Sequence, residues 1–124
     1  MARIGQELDL LSQTQESLQV LSWSWNPVDD RLVFSRACQN LWDWDWKGLT
    51  HLEALLEKVV AVPDRKPVAK RMHEALDSLV PSTFTFRTHA YPISVIQCTL
   101  GPIVDQAGTV LGLAGTMQSL GHAP

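Results

Sequence analysis

Residues 22–35 read SWSWNPVDDRLVFS. Trp23 and Trp25 alternate with Ser22 and Ser24, the period of two that marks a strand with one apolar face. Asn26, Pro27, Asp29 and Asp30 follow with turn chemistry, Pro27 presetting its own φ and the Asx side chains bonding nearby backbone N–H groups. Leu32, Val33 and Phe34 resume the extended pattern, so the stretch predicts a β-hairpin. Asp29 and Asp30 form a carboxylate pair in sequence, but their place in the turn makes solvated Asx residues the expected reading.

Upstream, Gln6 to Leu21 contains no Gly or Pro. Ile4, Leu8, Leu11, Leu18 and Leu21 fall at near-helical spacing, which predicts an amphipathic N-terminal helix. Thr14 and Gln15 interrupt its stripe, so the helix either caps its own sheet or joins a second copy weakly. These five apolar residues are the candidate dimerisation set. The alternative surface is the outer face of the sheet, with Trp23, Val95 and Val110.

Downstream, Ser35 stands where a helix N-cap would, before RACQNLW. The run NLWDWDWKG, Asn40–Gly48, alternates like a strand, but Asp is poor in strand interiors and Gly48 ends the run at once. A continuing helix puts Trp42 and Trp46 on one buried face and turns Trp44 outward. THLEALLEKVV then reads as a helix with Thr50 as N-cap, Glu53 at the capping-box spacing, and Leu52, Leu55, Leu56 and Val59 facing inward. RKPVAKRMHEALDSLV reads as another, with Pro67 in its first turn and Val68, Met72, Ala75, Leu76 and Leu79 as its apolar stripe. The remainder, STFTFRTHA, ISVIQCTLGPIV and TVLGLAGTMQS, is rich in Thr, Val, Ile and Phe, with DQAG as the turn between the last two. The fold class is therefore α+β: a five-stranded antiparallel sheet with a helical crossover on one face, preceded by the N-terminal helix.

Composition limits the functions. A chain of 124 residues, 45% hydrophobic and 19% charged, makes one globular domain. A net charge of −3 gives no field for a phosphate backbone, so no nucleic acid is expected. The residues after Met1 lack the apolar stretch of a signal peptide, and Pro92 and Pro102 break the longest uncharged run, which points to the cytoplasm and no membrane span. Cys38 and Cys98 are too far apart for a zinc knuckle, and no metal site is expected. With no nucleophile elbow, phosphate loop or paired His, no catalytic residue is assigned and the chain is not expected to be an enzyme.

In order and spacing, SWSWNPVDDRLVFS, PDRKPVAKRMHEAL, TFRT and GPIVDQAGTVLGLAGTMQS resemble the PAS domains, in the subgroup ending in the PAC motif, over Ser22 to Leu120. The resemblance implies three parts: a flanking helix over residues 1–21, the PAS domain over 22–120 and a tail over 121–124. It implies a cup-shaped sensory module, commonly a homodimer, which controls an output domain such as a kinase or nucleotide cyclase absent from this chain. Candidate pocket residues are Trp25, Phe34, Phe84, Phe86, Ile96, Cys98, Leu113 and Met117 on the sheet, facing Trp42, Leu52, Leu56, Met72 and Leu76. A small ligand could lie among them, or they could form a filled core in a module that only binds protein; the residues admit both. The photoadduct motif of the flavin-binding members has no counterpart, and Met117 stands where those members place a flavin-bonding Gln. Haem would need His73, which lies at the edge of its helix's apolar stripe; no cofactor is expected. Two departures from the family pattern are Val62 in place of its His before Pro-Asp, and Gln118-Ser119-Leu120 where the family closes on Asp-Ile-Thr. A small cone of the ketosteroid-isomerase kind is the rival fold, but it opens on longer helices and has no early hairpin.

Overall fold

The computed structural model describes residues 20–35, 44 and 46–122. The predicted N-terminal helix, with Ile4, Leu8, Leu11 and Leu18, lies outside the described residues. So do Trp42, Cys38 and the short helix expected after Ser35.

The hairpin of Ser22–Ser35 forms as β1 (Val20–Asn26) and β2 (Arg31–Phe34). A crossover follows, with a short turn at Trp46–Gly48, helix α1 (Leu52–Lys58), a second short turn at Val62–Asp64 and helix α2 (Arg65–Ser78). Strands β3 (Ser82–Arg87), β4 (Ser94–Val104) and β5 (Val110–His122) complete one antiparallel sheet in the order β2-β1-β5-β4-β3. The first and last strands are thus central neighbours, and both edges are short strands. Asp105 closes the β4–β5 turn, its carboxylate accepting from the Ala107 and Thr109 N–H groups while Gly108 takes φ +84°.

Register decides which side chains enter the core, because facing residues on antiparallel neighbours share a face. One row is Phe84, Cys98, Met117 and Leu21; the next is Leu100, Gly115, Trp23 and Phe34; the third is Pro102, Leu113, Trp25 and Leu32. Between them, Thr83, Thr99, Thr116 and Ser22 line the opposite face. Leu52 and Leu55 of α1 and Val68, Met72 and Ala75 of α2 belong to the buried cluster that includes the apolar rows.

Four expectations need correction. Leu21 is not a dimerisation residue of a flanking helix: it is fully buried in β1 opposite Met117, because the extended pattern begins at Val20. Trp23 is not on the outer face; it shares Trp25's face by the period of two and is equally buried. Leu79 leaves the α2 stripe, taking φ +58° as the helix ends and standing exposed. Thr50 does not cap α1: His51 holds the cap position without a side-chain cap bond, and the Leu52 N–H instead donates to the Asp30 carboxylate at 2.9 Å. The sheet also runs past both expected boundaries, to Val20 at one end and His122 at the other.

Candidate functional site

The described candidate pocket residues converge. Trp25, Phe34, Phe86, Ile96, Cys98, Leu113 and Met117 from the sheet join Leu52 and Met72 from the helices in one buried cluster, with Phe84, Leu56 and Leu76 half-buried at its margin. Pattern reading missed Leu32, Val60 and Leu100, which share that interior. Leu32 and Leu100 lie two residues from Phe34 and Cys98, so the period of two already puts them on the inner face, and their register with Trp25 and with Gly115 beside Trp23 agrees. Trp46 packs its ring edge on Phe34, centroids 5.0 Å apart, and Trp44 tilts onto Trp46 at 5.3 Å. Trp44 is therefore half-buried against the core rather than turned to solvent, because no helical phase holds at Trp46–Gly48, where the chain makes a tight turn.

Asp30 is the joint between hairpin and crossover. It takes φ +51°, which directs its carboxylate over β1, where Oδ1 accepts from Trp25 Nε1 at 2.8 Å and from the Leu52 N–H at 2.9 Å. Its carbonyl accepts from His51 Nδ1 at 2.6 Å. His73 donates Nδ1–H to the Ala69 carbonyl at 2.8 Å and sets its ring edge against Trp25, centroids 5.7 Å apart. Trp25 is thereby contacted by both the hairpin turn and α2. A cleft of about 520 Å³ opens beside β2, with Phe34, Trp46 and Leu49 on its apolar side and Arg31, Thr50 and His51 at its rim.

Cys98 is a buried thiol of the interior, and burial pushes its pKa up to about 12. The buried Trp23 indole N–H, which makes no hydrogen bond among the described residues, opposes part of that rise. A thiol pKa raised by folding contributes stability below its unfolded value, near 9, which is lost as pH climbs toward about 12. The expected slope is about 1.4 kcal/mol per pH unit across that window. Urea unfolding between pH 8 and 11 should show this slope in excess in wild type over Cys98→Ala, whereas parallel curves would place the thiolate at no disadvantage in the fold.

The α1–α2 corner is tied to β3 by a fork. Asp64 Oδ2 accepts from the Arg87 backbone N–H at 2.8 Å and from Nε at 3.0 Å, while Oδ1 accepts from Arg87 Nη2 at 2.9 Å. Arg65 adds bonds to the carbonyls of Val60 and Glu57. The Arg87 hydrogen bonds hold the Asp64 carboxyl below its ordinary value, so its stabilisation is present at neutral pH and is lost as pH falls through the depressed value. Arg87→Ala should return the Asp64 titration, followed by its side-chain carbon resonance, toward the usual carboxylate range; an unchanged midpoint would assign the shift elsewhere.

Among the described residues no group of His, Cys, Asp and Glu is placed to hold a metal, and no helix is long and apolar enough to cross a membrane. No protein-family model matches the sequence, and no curated protein matches it. Solved structures do. The chain is similar to the N-terminal domain of a diguanylate cyclase with PAS/PAC sensor from Marinobacter aquaeolei, at TM-score 0.70 and 15% identity over 82% of this chain and 95% of that one. It is similar to a sensory box histidine kinase/response regulator from Burkholderia thailandensis, at TM-score 0.65 and 14% identity over 90% and 84%. A PAS domain from Colwellia psychrerythraea gives TM-score 0.65 and 12% identity over 92% and 97%. Strand order, helical crossover and these neighbours agree: the chain has the PAS fold.

Proposed function

We propose that this chain is a sensory or regulatory PAS module that acts through packing rather than catalysis and controls an attached output domain. The observation that carries this is the placement of the two ends of the sheet. Val20, where β1 begins, faces Gln118 near the end of β5, so segments joined before β1 and after β5 leave from adjacent central strands. Leu21 and Met117, one residue further in, are buried in the same interior as Cys98 and Phe86. A change in the interior therefore reaches both exits through two neighbouring strands, the requirement for biasing two arrangements of a flanking helix or dimer. The structural neighbours, which include an N-terminal domain of a cyclase and a histidine kinase, support an output of that kind.

Two modes fit this reading: a small ligand held at the interior, or a filled core that works by self-association through residues before Val20. Native mass spectrometry of the purified chain separates them. A co-purified small molecule supports ligand sensing, and a ligand-free homodimer supports the association mode. A ligand-free monomer that stays monomeric with residues 1–19 intact would remove both.

A further inference from the structure

The outer edge of β3 is occupied at its two ends and open between them. Its backbone groups alternate between facing β4 and facing away. At the C-terminal end, the chain's own Val59–Ala61 already adds to this edge as an extra strand: the Ala61 N–H donates to the Arg87 carbonyl at 2.8 Å and the His89 N–H to the Val59 carbonyl at 2.6 Å, around an antiparallel bridge of Val60 and Thr88. The Arg87 N–H is taken by the Asp64 carboxylate. At the other end, the Thr83 carbonyl accepts from Arg71 Nη2 at 3.0 Å. Thr85 lies midway between Arg87 and Thr83, so its N–H and carbonyl point the same outward way, and they have no partner among the described residues.

Helix α2 runs beside this gap. A groove of about 180 Å³ borders Thr85 and Phe84, walled by Pro67, Val68 and Arg71. A second, of about 250 Å³, lies on the far side of Arg71 against Glu74, Ala75 and Pro81. The Arg71 side chain divides them, its guanidinium 5.8 Å from the Phe84 ring centroid. Although the chain as a whole is acidic, Arg65, Lys66, Lys70 and Arg71 crowd the first two turns of α2. Of the carboxylates that line the two grooves, Asp64 is committed to Arg87, and Glu74, on the second, faces Lys70 at 3.8 Å, which leaves Lys66 and Arg71 as the cations that no carboxylate pairs among the described residues beside the open edge.

We infer that the α2–β3 groove is a strand-addition site for an extended acidic peptide. One peptide residue pairs with both backbone groups of Thr85, continuing the row that Val59–Ala61 begins, while Arg71 leaves the Thr83 carbonyl for a peptide carboxylate. Main-chain bonds supply the affinity and the basic turns of α2 supply the selection for acid. Nucleic acid would satisfy the charge but offers no strand for the open edge.

The test is a titration of the ¹⁵N-labelled full chain with an extended octapeptide of alternating Val and Glu, with its Val and Lys counterpart, and with a single-stranded oligonucleotide. The Glu peptide should shift the Thr83 and Thr85 amides saturably, with the other two probes at least tenfold weaker. Arg71→Gln should weaken the Glu peptide by about tenfold, the loss of one charge-assisted hydrogen bond. Thr85→Pro should abolish binding while keeping the fold, since an outward N–H on an edge strand is where proline is tolerated. Absence of saturable shifts at these amides, equal binding of the Lys peptide or the oligonucleotide, or undiminished binding by either variant would overturn the assignment. Should Thr85→Pro lose its far-ultraviolet spectrum, Arg71→Gln and the probe comparison decide alone.

Discussion

Gly115→Ala is expected to unfold this domain or to cost about 4 kcal/mol or more, the range reserved for overpacking that the backbone cannot relieve. Gly115 sits in the second residue of the row that joins Leu100, Gly115, Trp23 and Phe34 across four strands. A Cβ there would not leave the sheet toward either face. It would lie 1.8 Å from the Thr99 carbonyl oxygen and 2.8 Å from the Leu100 Cα, both backbone atoms of β4. Neither can yield as a side chain end would, so β4 and β5 would have to separate at the centre of the sheet. Gly101→Ala is the control. It lies in the neighbouring strand and a Cβ there meets only the Pro81 ring at 3.7 Å, an ordinary contact, so a change within about 0.5 kcal/mol is expected. Equilibrium urea unfolding of the two variants checks this. Equal stability losses would mean that β5 can shift away from β4 at low cost, and the tight strand approach at Gly115 would lose its explanation.

How much of this was readable in the sequence depends on what carried each signal. The hairpin of residues 22–35, the two crossover helices and the last three strands follow from periodicity and turn residues, and each formed. Leu52, Leu55 and Val59, or Val68, Met72 and Ala75, are placed by a 3.6 period that the helix itself enforces. What periodicity could not place were residues at changes of period. Leu21 fits both the end of a helical stripe and the start of an alternating strand, and the register with Met117 settles it as strand. Leu79 fits the stripe numerically, but the helix stops one residue earlier. The helical phase that would turn Trp44 outward fails in the three-residue turn at Trp46–Gly48. The open edge at Thr85 carries no sequence signal at all, since it depends on which way the backbone faces after β3 pairs with β4.

Asp30→Ala should be the most damaging change in the hairpin turn, at about 3–5 kcal/mol, although Asp30 reads in the sequence as one more solvated turn residue. Two donors lose their acceptor at once: Trp25 Nε1 and the Leu52 N–H, each on a residue only 4% exposed. Leaving a buried donor unpaired costs about 1–3 kcal/mol apiece. The left-handed backbone at φ +51° adds about 1 kcal/mol, because alanine has no short polar side chain to stabilise it. Two further substitutions divide these causes. Asp30→Asn retains an Oδ1 acceptor and tolerates the left-handed region, so a loss of about 1 kcal/mol is expected, the difference between a charged and a neutral acceptor. Asp30→Gly removes the acceptor but relieves the backbone, so it should fall between Asn and Ala. Alongside urea unfolding, the Trp25 indole N–H resonance reports the bond directly. It should move in Asp30→Ala and Asp30→Gly and stay near its native position in Asp30→Asn. If Asn proves as damaging as Ala, the carboxylate charge carries the joint, and the hairpin is held to α1 by electrostatics rather than by a hydrogen-bond acceptor set at one place.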